Sequence, residues 1–87
     1  MKTNADGSFT LALREPIKSL GEEIKEVSFR RPRAKVYRAM ASMKDEASRV
    51  FALVASVCGI TPSAVEEMDL ADFNAIVETI GDIDPKP

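Results

Sequence analysis

The 87-residue chain is long enough for one small domain, and its net charge of −2 at neutral pH argues against a general nucleic-acid binder. It contains no histidine and one cysteine, Cys58, which excludes an internal disulfide and removes the commonest metal ligand and general base. We therefore expect a protein that is not an enzyme and that has no catalytic residues, metal or cofactor.

Two stretches near the N-terminus alternate between apolar and polar residues, as half-buried strands do. They cover residues 9–14 and 24–30, and their apolar faces consist of Phe9, Leu11, Leu13, Val27 and Phe29. Strands that follow one another in sequence are usually antiparallel neighbours, so we predict a β-hairpin over residues 9–30. Residues 1–8 lack such a pattern, and we expect them to form a disordered leader.

The segment between these two strands contains several turn signals. Pro16 is expected to end the first strand, because proline cannot donate to the hydrogen bonds of a sheet. Gly21 is the expected pivot of the loop, and Ile24 is out of phase with Val27, which predicts either a bulge or the end of the turn near Lys25. A lone hairpin is barely stable in water, so its apolar face must pack on the rest of the chain or on a partner.

From Arg33 onward the apolar residues follow a helical period, and we predict three to four helices over residues 33–81. The expected helix starts and ends are Asp45, Gly59, Thr61, Asp69 and Gly81. The last helix is expected to bury Leu70, Phe73, Ile76, Val77 and Ile80. Asp72 is expected to complete a capping box. The prediction is an α+β fold, an N-terminal antiparallel hairpin followed by a helix bundle, with residues 9–81 as a single domain and 82–87 as a tail.

Nothing else in the sequence predicts chemistry or membrane insertion. Cys58 lies on the apolar stripe of the strongest predicted helix, so we expect it to be a core residue and not a reactive thiol. The longest apolar run, residues 50–60, is too short to span a bilayer, and the N-terminus has no apolar signal segment.

Charge is unevenly distributed along the chain. Residues 25–38 contain six basic residues and one acid, whereas the residues from Glu66 to the end contain seven acids and one base. This polarity could guide self-association or partner docking. The basic segment could also bind nucleic acid, but only Tyr37 is an interleaved aromatic residue and the chain is acidic overall, so we expect a protein partner instead.

The first predicted helix supplies the candidate partner-binding residues. Tyr37, Met40 and Met43 are flanked by positive charge, and methionine suits adaptable binding surfaces because it repacks easily. The same three residues could instead fill the core, and the pattern leaves both interpretations open. The candidates are Arg33, Val36, Tyr37, Arg38, Met40 and Met43.

The order of the turn and cap motifs along residues 9–81 resembles one family. The matching segments are LREPI at 13–17, GEEI at 21–24, VSFRRP at 27–32, GITP at 59–62 and DLADF at 69–73. This pattern is similar to that of the tail assembly chaperones of contractile-tailed, Mu-like and P2-like phages and related prophages. The chain departs from the family pattern over residues 33–38.

The resemblance implies a non-structural protein of the host bacterial cytoplasm that binds the tape measure protein. Such proteins keep this long helical client soluble, promote tail tube assembly around it and are absent from the finished virion. In many of these families a ribosomal frameshift adds a C-terminal domain. Two alternatives stay open at this point: a small regulatory nucleic-acid-binding protein that uses residues 25–38, and a structural component of the tail or baseplate.

Overall fold

A three-stranded antiparallel sheet forms the N-terminal part of the computed structural model, which describes residues 1–81. The strands lie in the order β1-β2-β3, and they are β1 (Lys2–Thr3), β2 (Phe9–Ser19) and β3 (Glu22–Phe29). Four helices follow: α1 (Ala34–Met40), α2 (Glu46–Cys58), α3 (Pro62–Glu66) and α4 (Leu70–Ile80). The predicted α+β class is confirmed, as is the antiparallel hairpin followed by helices. The expected tail, residues 82–87, lies outside the described residues.

The structure differs from our expectation over residues 1–8, where we predicted a disordered leader. Lys2–Thr3 pairs antiparallel with the start of β2. The side-chain amide of Asn4 donates to Oγ of Ser8 at 3.0 Å and to Oγ1 of Thr10 at 2.9 Å. The residues between β1 and β2 therefore close a second, short hairpin, and the sheet has three strands rather than two.

β2 also continues through Pro16, where we predicted its end. Its pairing register with β3 shifts between Ala12 and Ile17, so the four residues 13–16 lie opposite the single residue Lys25. Because Pro16 lies in this irregular stretch, its missing N–H removes no regular pair from the sheet. The predicted bulge near Lys25 is present, with the extra residues on β2.

A buried carboxylate joins this irregular stretch to the helices. The backbone N–H of Arg14 donates to Oδ2 of Asp72 at 2.8 Å, and Asp72 is only 3% exposed. Asp72 lies in the first turn of α4, where the helix dipole also favours a negative charge. Our prediction of a capping box at Asp72 is therefore wrong, because this carboxylate accepts from the sheet.

The other helix boundaries follow the predicted capping residues. Asp45, Thr61 and Asp69 each accept a hydrogen bond from a backbone N–H in the first turn of α2, α3 and α4 respectively. Gly59 ends α2 in the left-handed conformation, with φ of 68°. α1 is shorter than the periodicity suggested: it ends at Met40, and Met43 lies in the turn before α2.

α2 is the central helix of the core and packs against β3, α1, α3 and α4. The largest fully buried side chains are Val54, Val65 and Ile76, one from each of the last three helices. Leu70, which we expected to be buried, is 70% exposed. The inward face of α4 is formed by residues spaced four apart, Asp72, Ile76 and Ile80, and this spacing leaves Leu70 outside.

We predict that Asp72→Ala lowers the free energy of unfolding by about 1–3 kcal/mol, because the N–H of Arg14 loses its acceptor in a partly buried position. Asp72→Asn keeps a carbonyl oxygen that can accept this hydrogen bond, so it should lower the free energy of unfolding by less than Asp72→Ala does. Urea unfolding followed by circular dichroism measures both variants, with Glu78→Ala on the exposed side of α4 as the matched control. Equal stability of Asp72→Ala and the control would contradict this role.

Candidate partner-binding surface

Two surface grooves involve α1 and the turn that follows it. We call the first the apolar groove; it has a volume of about 590 Å³ and is lined by Met43, Ala47, Ser48, Phe51, Ala52, Pro62 and Glu66. We call the second the basic groove; it has a similar volume, about 590 Å³. Its charged rim contains Arg30, Arg31, Arg33 and Lys35, and its apolar lining includes Phe29, Pro32, Val36 and Val57.

The edge of the apolar groove is fixed by the turn between α1 and α2. The guanidinium of Arg49 donates to the carbonyl oxygens of Met43 at 3.2 Å and Lys44 at 3.1 Å. The N–H of Met43 donates to the carbonyl of Met40 at 2.9 Å. These bonds hold Met43 at the start of α2 with 37% of its surface exposed.

The same turn is stabilised by the cap of α2. The N–H of Ser48 donates to Oδ2 of Asp45 at 2.8 Å. Hydrogen bonds from the backbone and side chain of Ser48 lower the pKa of Asp45 below its ordinary value. The Asp45 carboxylate is therefore charged at neutral pH. A negative charge at a helix N-terminus stabilises the helix, here α2, which carries most of the groove.

The interior of the apolar groove is formed by α2 and the start of α3. The ring of Phe51 packs on that of Phe73, with centroids 5.1 Å apart and an interplanar angle of 45°. Pro62 follows the Thr61 cap at the first position of α3. Alanines at 47 and 52 leave space beside the aromatic ring. The result is an open apolar depression into which a row of apolar side chains could pack.

The basic groove is built where β3 leads into α1. Arg30 forms an ion pair with Asp6 at 2.9 Å, which attaches the turn between β1 and β2 to this region. Arg31, Arg33 and Lys35 are exposed and make no ion pair within residues 1–81. They give the groove a positive charge that no ion pair within this range offsets.

The structure divides the six predicted site residues among four environments. Met40 is 3% exposed and belongs to the core, which resolves the two interpretations of that residue in favour of packing. Arg33 and Val36 line the basic groove, and Met43 lines the apolar groove. Tyr37 (51% exposed) and Arg38 lie on the exposed side of α1 and line neither groove.

Sequence reasoning missed the groove lining at Phe51, which is half-buried and packs against the core, and at Pro62, which is exposed. The helical period of α2 places Phe51 on its apolar stripe, and Pro62 after Thr61 indicates a helix start, so neither pattern predicts a groove. The available signal was the pair of alanines at 47 and 52, since small residues on either side of an aromatic ring leave part of that ring uncovered. Which helix covers which part of α2 depends on contacts that the helical period does not specify.

The described residues offer no arrangement for metal binding or membrane insertion. Within residues 1–81 no three His, Cys, Asp or Glu side chains lie close enough together to hold a metal ion. No helix in the same range is long and apolar enough to cross a bilayer. Burial raises the pKa of the Cys58 thiol to about 12, so little reactive thiolate forms at neutral pH.

We predict that Cys58 in the folded protein reacts with iodoacetamide at least about a hundredfold more slowly than in urea, because the thiolate is the nucleophile. Its rate should rise with pH up to pH 10 without a plateau, since the folded pKa of about 12 is not reached. Ser56→Cys in a Cys58→Ser background is the matched control, because position 56 is exposed on the same helix and should react quickly. Equal rates for Cys58 with and without urea would contradict its burial.

Comparison with known protein families gives a match over most of the chain. The family model described as phage tail assembly chaperone proteins, E, or 41 or 14, matches residues 10–84. No curated protein and no solved structure matches the chain. The matched range begins at the second residue of β2 and includes both long strands and all four helices.

Proposed function

This chain belongs to the family of phage tail assembly chaperone proteins, and from that membership we propose that it binds the tape measure protein of its phage. Membership gives the protein a role in tail assembly and a protein client. We propose further that it acts in the host cytoplasm, keeps the tape measure protein soluble and promotes assembly of the tail tube. A chaperone of this kind needs a binding surface and no catalytic group.

The apolar groove is the single observation that carries this proposal. A long helical client exposes apolar stripes before the tube covers them, and such a stripe is recognised by helix-in-groove packing. Met43 and Phe51 offer apolar contact area, while the small side chains at 47 and 52 allow a close approach. Ser48 and Glu66 supply polar edges that can meet the polar flank of an amphipathic helix.

The adaptability of the groove also suits this role. Met43 lies in a turn and is partly exposed, so its flexible side chain can repack against different apolar residues. A chaperone that contacts successive stretches of one long client requires such tolerance more than it requires tight complementarity. Tyr37 and Arg38, which lie outside both grooves, remain proposed contacts at the edge of the client surface.

We predict that Met43→Asp weakens binding of the tape measure protein at least about tenfold, because a carboxylate in the apolar groove must be desolvated against the client. Co-expression with the tape measure protein followed by affinity purification measures the retained client, and circular dichroism checks the fold. Leu70→Asp is the matched control, since Leu70 is an exposed apolar residue outside both grooves.

Two results would contradict the proposal. If the wild-type protein neither co-purifies with the tape measure protein nor raises its soluble yield, the proposed client is wrong. If Met43→Asp and Leu70→Asp retain the client equally well, the client is bound elsewhere than in the apolar groove.

A further inference from the structure

The C-terminal end of α4 lies beside the basic groove. Nη2 of Arg31, whose side chain lines that groove, is 3.8 Å from the point where a side chain at Gly81 would begin. A cation near the C-terminus of a helix interacts favourably with the helix dipole, and the last turn of α4 contains no basic residue of its own. The chain therefore leaves α4 at the edge of the basic groove.

The residues that follow Gly81 have a composition suited to this groove. Residues 82–84, which we call the acidic segment, lie outside the described residues, and their sequence places one isoleucine between two aspartates. Consecutive Cα atoms are only about 3.8 Å apart, so the carboxylate of Asp82 can reach the guanidinium of Arg31. A carboxylate just past the C-terminus of a helix is disfavoured by the helix dipole, and a nearby cation offsets this effect.

More cations than acids line the basic groove within residues 1–81. Asp6 is the acid that lines it there, and its carboxylate is paired with Arg30 at 2.9 Å. Arg31, Arg33 and Lys35 are exposed and form no ion pair within the same range. Like charges on one small surface repel one another, so an acidic segment bound there would relieve this repulsion.

We propose that the basic groove binds the acidic segment of its own chain. The two carboxylates pair with the arginines of the rim, and the isoleucine between them packs against Val36 and Val57, the partly buried valines of the groove lining. The bound segment competes with other anions, so it limits which acidic ligands the groove can take. The proposal concerns contacts within one chain and stands whether or not the tape measure protein is the client.

Disulfide exchange measures whether the acidic segment lies at the groove. In a Cys58→Ser background, Ser56→Cys places a thiol on the exposed groove lining, and Pro85→Cys places a second thiol next to the acidic segment. The effective concentration of this thiol pair, measured against glutathione in dilute protein, should exceed that of a Ser48→Cys/Pro85→Cys pair at least about tenfold. Position 48 is the matched control, because it is an exposed serine about 12 Å further along the same helix.

The same pair of thiols at positions 56 and 85 tests the role of charge. Asp82→Asn/Asp84→Asn should lower its effective concentration toward that of the control pair, and 1 M salt should do the same because surface charges are screened. Arg31→Glu/Arg33→Glu should also lower it. Adding Asp82→Lys/Asp84→Lys to the arginine variant should restore the disulfide, which a purely structural role of the arginines would not allow. Circular dichroism checks the fold of each variant.

Binding of a fluorescent heparin oligosaccharide, used as a polyanion probe, tests whether the acidic segment occupies the groove. Asp82→Asn/Asp84→Asn in the otherwise unchanged chain should bind heparin at least about tenfold more tightly than Glu66→Gln/Glu67→Gln, because the competing carboxylates are removed. The glutamate variant is the matched control, since it removes the same number of acids at the end of α3, outside the basic groove.

Several results would overturn the proposal. Equal effective concentrations for the pairs at 56 and 48 exclude the groove as the site of the acidic segment, and a pair at 56 and 85 that is insensitive to Asp82→Asn/Asp84→Asn excludes the carboxylates. A disulfide that forms only between two molecules shows that the contact is not made within one chain. Equal heparin affinities of the two double variants show that the segment does not compete for the groove.

Discussion

The hydrogen bond between the backbone of Arg14 and the carboxylate of Asp72 is the link on which the arrangement of sheet and helices depends. It lets β2 leave its register with β3 without an unsatisfied N–H at the helix-facing side of the sheet. It also fixes the first turn of α4 against the strand. The pairing then resumes at Ile17, and Oγ of Ser19 accepts from the N–H of Thr61 at the start of α3, which gives a second link between sheet and helices.

Much of the fold could be predicted from sequence because its signals are local. The strand alternation, the caps at Asp45, Thr61 and Asp69, and the glycine that ends α2 each depend on residues within one turn or one strand. The role of Asp72 could not be predicted in this way, since its partner lies 58 residues away in the chain. A clue was present: Asp72 lies four residues before Ile76, on the face where an apolar residue is normally found.

The candidate site was less predictable than the fold. Val36 and Met40 are four residues apart and both face the interior side of α1, whereas Tyr37 and Arg38 point outward. Periodicity alone identified the helix but not which of its sides meets α2. Likewise, the short strand β1 depends on pairing with a strand several residues away and on an Asn4 network, and two residues carry too little pattern to reveal it.

Site-specific photo-crosslinking during co-expression with the tape measure protein tests whether the apolar groove is the client site. A photoreactive amino acid at position 43 lies in the apolar groove, and one at position 70 is exposed outside both grooves. We expect a covalent adduct with the tape measure protein from position 43 and none from position 70. Adducts from position 70 alone, or from neither position while the two proteins still co-purify, would contradict the apolar groove as the client site.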